Sequence, residues 1–148
     1  MQVSFALFAD AANLSQEGKL NILGVFDAVQ VGTLPTVHRR ASLVVHLKGD
    51  EMDAGMHTLT LRWLSPSGQE LWNTQGQVEV QTAPPPGGGM DLPLIAAVDL
   101  PLDQAGSYAM HIAVDDRPSA SVALHVRSAG PPPFAPLGFT SPTGGMLS

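Results

Sequence analysis

No cysteine occurs among the 148 residues of this chain. That excludes disulfide scaffolds, thiolate nucleophiles and cysteine metal sites together, and it leaves the redox compartment open. Charge is also scarce: Asp, Glu, Lys and Arg make up 14% of the residues, where about a quarter is usual. Ser, Thr, Gln, Gly and Ala must therefore cover much of the surface. Seven basic residues against 13 acidic ones, a net charge of −6, supply no basic stripe for a phosphate backbone, so nucleic acid is not an expected partner. No apolar run reaches the ~20 residues of a membrane-spanning helix. The stretch from Met1 to Ala11 contains a signal-like Ala9-Asp10-Ala11, but no basic region precedes it and its apolar run is short, so the expected location is cytoplasmic.

What the chain does contain is alternation. Tyr108, Met110, Ile112 and Val114 interleave with Ser107, Ala109, His111 and Ala113, and after a polar break at Asp115 to Ser119 the beat resumes as Ala120, Val122, Leu124 and Val126. Period two on both sides of a break predicts a β-hairpin with one buried face. A hairpin alone is marginal in water, so a second sheet must cover that face. Similar patterns predict strands at Gln2 to Ala9, Lys19 to Val29, Ala41 to Lys48, His57 to Trp63, Glu70 to Gln81 and Leu92 to Leu100. In the first of these Val3, Phe5, Leu7 and Ala9 form an apolar face while Ala6 and Phe8 leave the other only partly polar, which suggests that it too is covered. Gly24 inside the second predicts a bulge or a close backbone approach. The strand from Glu70 is the most polar and reads as an edge or bulged strand. Ser65-Pro66-Ser67-Gly68 reads as a turn, and Ala83 to Gly89 cannot pair in a ladder. With no helical period beyond a single turn near Leu14, the expected fold is an all-β, antiparallel, two-sheet sandwich of about eight strands, immunoglobulin-like or C2-like.

Residues 5 to 13, Phe-Ala-Leu-Phe-Ala-Asp-Ala-Ala-Asn, and residues 18 to 27, Gly-Lys-Leu-Asn-Ile-Leu-Gly-Val-Phe-Asp, resemble the opening of an uncharacterised bacterial family of small proteins known only as a domain of unknown function. The likeness is tight over residues 5 to 27 and looser to about residue 127. It implies a compact β-sandwich of bacterial or phage origin, with a virion as the location in the phage case. It implies no activity, ligand or catalytic residue.

The organisation expected is a sandwich domain over residues 1–127 and an irregular tail over 128–148. The tail carries no charge, and nine of its 21 residues are Gly or Pro. It cannot fold alone, yet Phe134, Leu137, Phe139, Met146 and Leu147 make it unlike a plain linker.

No G-x-S-x-G, H-E-x-x-H or Gly-rich phosphate loop is present, and the chain is expected not to be an enzyme; an unrecognised hydrolase is the third reading. His111 and His125 lie on the polar face of the last hairpin. A pairing that sums to 236 would set them opposite each other, close enough to share a metal, although no third ligand is visible and two solvated histidines are the simpler expectation. If consecutive strands alternate in direction, the loops holding Asp10, Glu17, Asp50, Glu51, Asp53, Asp115 and Asp116 gather at one end. Of these, Asp50, Glu51, Asp53, Asp115 and Asp116 are the candidate metal ligands, since calcium takes six to eight oxygens from flexible loops; the plainer reading is acids that keep a charge-poor surface soluble. No cofactor other than calcium is considered. The first reading is a non-enzymatic interaction or structural module that binds a protein partner, or a second copy of itself, through a sheet face or edge and through Phe134, Leu137, Phe139, Met146 and Leu147. The weakly polar face of Ser107, Ala109, Ala113, Ser121 and Ala123 is the sheet face that suggests it. A calcium or small-ligand domain is the alternative.

Overall fold

A computed structural model describes residues 1–81 and 88–129. The described residues form nine strands: β1 (Gln2–Leu14), β2 (Leu20–Phe26), β3 (Ala28–Val31), β4 (Thr36–Gly49), β5 (Gly55–Leu64), β6 (Glu70–Val80), β7 (Met90–Leu102), β8 (Gly106–Val114) and β9 (Arg117–Ser128). A four-stranded sheet has the order β2-β1-β4-β7 and a five-stranded sheet the order β3-β9-β8-β5-β6. The sandwich is as expected. One pairing is not: β3 runs parallel to β9, so the five-stranded sheet is mixed.

The parallel pair arises because the expected single strand from Lys19 to Val29 is two strands in different sheets. β2 pairs with β1 as far as Phe8 and Phe26, Asp27 turns the chain, and β3 then lies along β9 with His125 N donating to Asp27 O at 2.8 Å. Within β2, Gly24 adopts a φ of +69°, and a Cβ there would collide with the Asp10 carboxylate lying over it. The close approach expected at Gly24 is therefore present, and only glycine meets it without strain.

The inner faces supply a single core. Phe8, Leu43, Val45 and Leu47 from one sheet meet Leu61, Trp63, Tyr108, Met110, Ile112 and Leu124 from the other. Trp63 is central: it stacks on Tyr108 at 5.3 Å, takes the edge of Phe8 at 6.0 Å, and its indole N–H donates to Pro101 O. Burial of such aromatics is worth several kcal/mol each by area alone. Tyr108 OH receives the amides of Asp103 and Gln104, fixing the turn before β8. Burial, then the neighbouring Asp103 carboxylate, raises its pKa. At the edges, β6 is an edge strand as its polarity predicts, and Pro93 and Pro101 sit on the edge strand β7, where a missing donor costs little.

The hairpin of β8 and β9 turns more tightly than expected. Asp115 and Asp116 alone form the turn, both left-handed at φ 52° and 65°, the geometry of a two-residue turn matched to strand twist. The pairing sums to 231 next to the turn and, past a bulge between Ile112 and Ala113, to 232: Ser107 faces His125 and His111 faces Ser121. His111 and His125 are thus four residues out of step, roughly 13 Å along the strands, and cannot share a metal. Likewise the turn foreseen near Leu14 is strand, and among the described residues the one helical turn, 3-10 in form, is Glu51–Asp53. Much of the expected loop at Ala83 to Gly89 lies outside the described residues, as do the tail residues Phe134, Leu137, Phe139, Met146 and Leu147.

Candidate functional site

Two regions carry chemistry. The first is the end of the sandwich where β4 stops, β5 begins and the β8–β9 turn lies. Of the seven acids expected there, Asp50, Glu51, Asp53, Asp115 and Asp116 belong to it. Asp10 and Glu17 do not: Gln2 pairs with Lys48, so β1 starts at this end and carries Asp10 and the following turn to the opposite one. Consecutive strands do alternate in direction, but the stretch from Lys19 to Val29 is two strands with a reversal at Asp27, and that extra reversal puts the turn after β1 and the end of β4 at opposite ends.

His57 organises this end. Its Nδ1 lies 2.7 Å from Asp115 Oδ2 and its Nε2 2.6 Å from Asp53 O. Both partners are acceptors, so both ring nitrogens must carry protons, and the ring is satisfied only as imidazolium. The Asp115 carboxylate, followed by the Asp53 carbonyl, raises the His57 pKa to match. His57 in turn, with the Thr58 amide, lowers that of Asp115. Asp115 also receives Thr58 N on Oδ1 at 2.9 Å while its own amide donates to Thr58 O. Asp53 is equally engaged: Met1 N reaches Oδ1 and Asp50 N reaches Oδ2, both at 2.8 Å, and these two contacts lower its pKa. Asp50 Oδ1 accepts from Met52 N, closing the cap of the 3-10 turn. A cleft of about 550 Å³ beside this cluster is lined by Met1, Gln2, Asp53, Asp115 and Arg117 among others. The arrangement is a clasp that ties two loops together, with no imidazole nitrogen free to take a proton from a substrate. Among the described residues, no three His, Asp or Glu side chains are grouped to hold a metal ion.

The second region is the outer face of the four-stranded sheet. Register places three rows across it: Val25, Ala9, Ser42 and Ala97; then Leu7, Val44 and Ile95; then Phe5, His46 and Pro93. None holds Asp, Glu, Lys or Arg. Ala11 and Leu23 continue the face along the β1–β2 ribbon, which beyond Ala9 has no further neighbour in β4. Leu23 is 70% exposed, Val25 61% and Phe5 41%, whereas Ala9 and Val44 in the same rows have no exposure. Phe5 stacks flat on His46 at 4.9 Å, and Ser4 Oγ holds His46 Nδ1 at 2.6 Å. The opposite outer face, on the five-stranded sheet, is more polar. There Ser107, Ala109, Ala113, Ser121 and Ala123 share the surface with Arg62, His111, His125, Asn73 and Gln75, and Arg62 pairs with Glu70 at 2.7 Å. The sequence signal for the apolar face was the doubly apolar character of residues 5 to 9, together with Leu23 and Val25.

The profile of a family of unknown function, DUF6941, matches residues 4–127. The chain belongs to DUF6941. The match includes both strands of the ribbon and stops at the end of β9, and a family of unknown function with a β-sandwich fold is what the resemblance of residues 5 to 27 implies. A solved immunoglobulin-like protein from Pseudomonas aeruginosa is similar to this DUF6941 chain over 85% of it and 94% of its own length, at 17% identity and a TM-score of 0.36. No curated protein matches. Among the described residues of this DUF6941 member, no helix is long and apolar enough to cross a membrane.

Proposed function

We propose that this β-sandwich is a non-enzymatic interaction module that docks a protein partner, or a second copy, on the outer face of its four-stranded sheet. The observation that supports this most is the three uncharged rows crossing β2, β1, β4 and β7, with Leu23 and Val25 more than half exposed. Exposed apolar side chains such as Leu23, Val25 and Phe5 on one face mark an interaction surface more often than bare solvent contact, and although Lys48 and Asp91 form the next row of this face, the three rows themselves can be covered without desolvating an ion. His57 supports the non-enzymatic part, because both its nitrogens are spent on the clasp.

The test compares association of the full chain with two variants, by mass in solution and by retention of co-purifying protein. Leu23→Asp with Val25→Asp should abolish association, and Ala123→Asp on the other sheet should leave it intact. The reverse result would move the docking surface to the five-stranded sheet.

A further inference from the structure

Among the described residues four strands form sheet edges: β2 and β7 in one sheet, β3 and β6 in the other. An open edge invites pairing with another chain, and proteins guard it with charge, proline or brevity. β7 carries Asp91, Pro93, Asp99 and Pro101, β6 carries Glu70 and Glu79, and β3 is four residues long. β2 has none of these guards. Its seven residues, Leu-Asn-Ile-Leu-Gly-Val-Phe, hold neither charge nor proline, and the charges flanking it are Lys19 just before and Asp27 just after, both exposed. Ser15 N donates to Lys19 O at 2.8 Å, one step beyond the Leu14–Leu20 pair. Hydrogen-bonded and non-hydrogen-bonded pairs alternate along an antiparallel ladder, so the amides and carbonyls of Leu20, Ile22 and Phe26 point away from β1. No strand among the described residues lies on that side.

We propose that β2 pairs antiparallel with β2 of a second copy about a two-fold axis at Leu23, joining the two four-stranded sheets edge to edge. The proposal concerns the edge and stands apart from the reading of the outer face. In that register Leu23 meets Leu23, Asn21 meets Val25, Ile22 meets Gly24 and Leu20 meets Phe26. Just beyond the strand Lys19 meets Asp27, and the two-fold repeats this opposition at the other end. Opposite charges facing each other across a ladder stabilise it, and like charges weaken it. The neighbouring registers lose this match: an axis at Ile22 sets Asp27 against Glu17, and one at Gly24 sets it against Asn21. The strand is thus complementary in charge to its own copy, in one register.

The chain has no cysteine, so introduced thiols report that register. In the full chain, Leu23→Cys lies opposite itself in a non-hydrogen-bonded pair, where side chains approach closest, and should form an interchain disulfide about tenfold faster than Asn21→Cys alone, whose thiols would lie four residues out of step. Mixing Asn21→Cys with Val25→Cys should restore the fast rate. Lys19→Glu and Asp27→Lys should each lower the dimer fraction in sedimentation, and the two together should recover it. Equal rates in the three thiol experiments, or a mass that stays monomeric at every concentration, would overturn the proposal, and so would a single charge reversal that leaves the dimer unchanged. Equal thiol rates in a chain whose association is abolished by Leu23→Asp with Val25→Asp would overturn the edge pairing and leave the outer face its partner.

Discussion

His57 and Asp115 are 58 residues apart in the chain and 2.7 Å apart in the fold. The contact joins the start of β5 to the turn between β8 and β9, and through Asp53 it also holds the 3-10 turn. It places an imidazolium from the β5 ladder against the acidic turn between β8 and β9.

That clasp predicts a pH dependence of stability. The folded His57 pKa lies above its unfolded value of ~6.5, so its contribution is complete below that value and is lost as pH rises through the folded pKa. Asp115 shifts the other way, contributing above ~3.9 and losing its contribution as pH falls through its lowered folded value. The pair is strongest between these limits and fades on the alkaline side. Asp115 is about half exposed, at 47%, so solvent reduces a charge-assisted bond to about 1 kcal/mol. Melting temperature should drop between pH 6 and pH 9, and His57→Gln or Asp115→Asn should flatten that slope. An unchanged slope in both variants would show that the clasp does not contribute.

The core makes a harsher prediction. Ile112 is 1% exposed, and Ile112→Asp would bury an unpaired carboxylate at a cost of several kcal/mol, comparable with the whole stability of a domain. The cooperative transition should be lost in circular dichroism. His111→Asp, next along β8 but exposed, should melt within a few degrees of the parent. If the two behaved alike, the assignment of inner and outer faces in β8 would be wrong.

Thr60 allows a test in the other direction. Its Oγ1 is buried with no hydrogen-bond partner among the described residues, between Gln75 and Ala113 in the ladder. Thr60→Val keeps the β-branched shape and removes the unpaired hydroxyl, so it should stabilise by about 1 kcal/mol, or roughly 2–4 °C in melting temperature. A loss of stability would mean that the hydroxyl is satisfied in solution.

Period two carried most of the fold. Tyr108, Met110, Ile112 and Val114 alternate cleanly because only one side of β8 is buried, and the same holds for Leu59, Leu61 and Trp63 in β5. It failed where both sides are apolar. From Leu20 to Val29 an uninterrupted strand satisfies the alternation as well as two strands do, so the change of sheet at Asp27 left no trace in the pattern. The hairpin register depended on turn length, and Arg117 and Pro118 resemble turn residues although both are paired in β9. At the candidate sites, the apolar character of Phe5, Leu7, Leu23 and Val25 was visible, but alternation says which residues share a face and not which face meets solvent. The His57 clasp was not legible at all, since it depends on a contact across 58 residues between the start of β5 and the turn after β8.

Calcium provides the last test, at the acidic end. A calcium ion needs six to eight oxygens with lone pairs to spare, and three of the five candidate carboxylates already accept hydrogen bonds from the protein. Asp50 holds Met52 N, Asp53 holds Asp50 N, and Asp115 holds Thr58 N and His57. A metal would have to break these and sit near an imidazolium, whose charge repels it. Glu51 and Asp116, both exposed, would remain as ligands, too few to replace the hydration shell. A genuine site at about 100 times its dissociation constant would stabilise the fold by roughly 2.7 kcal/mol. The expected outcome is no shift in melting temperature at millimolar calcium and neutral pH, with Asp50→Asn and Asp116→Asn behaving like the parent. A melting temperature that climbs with calcium, and stops climbing in that double variant, would instead make this end a metal site and the clasp its unloaded form.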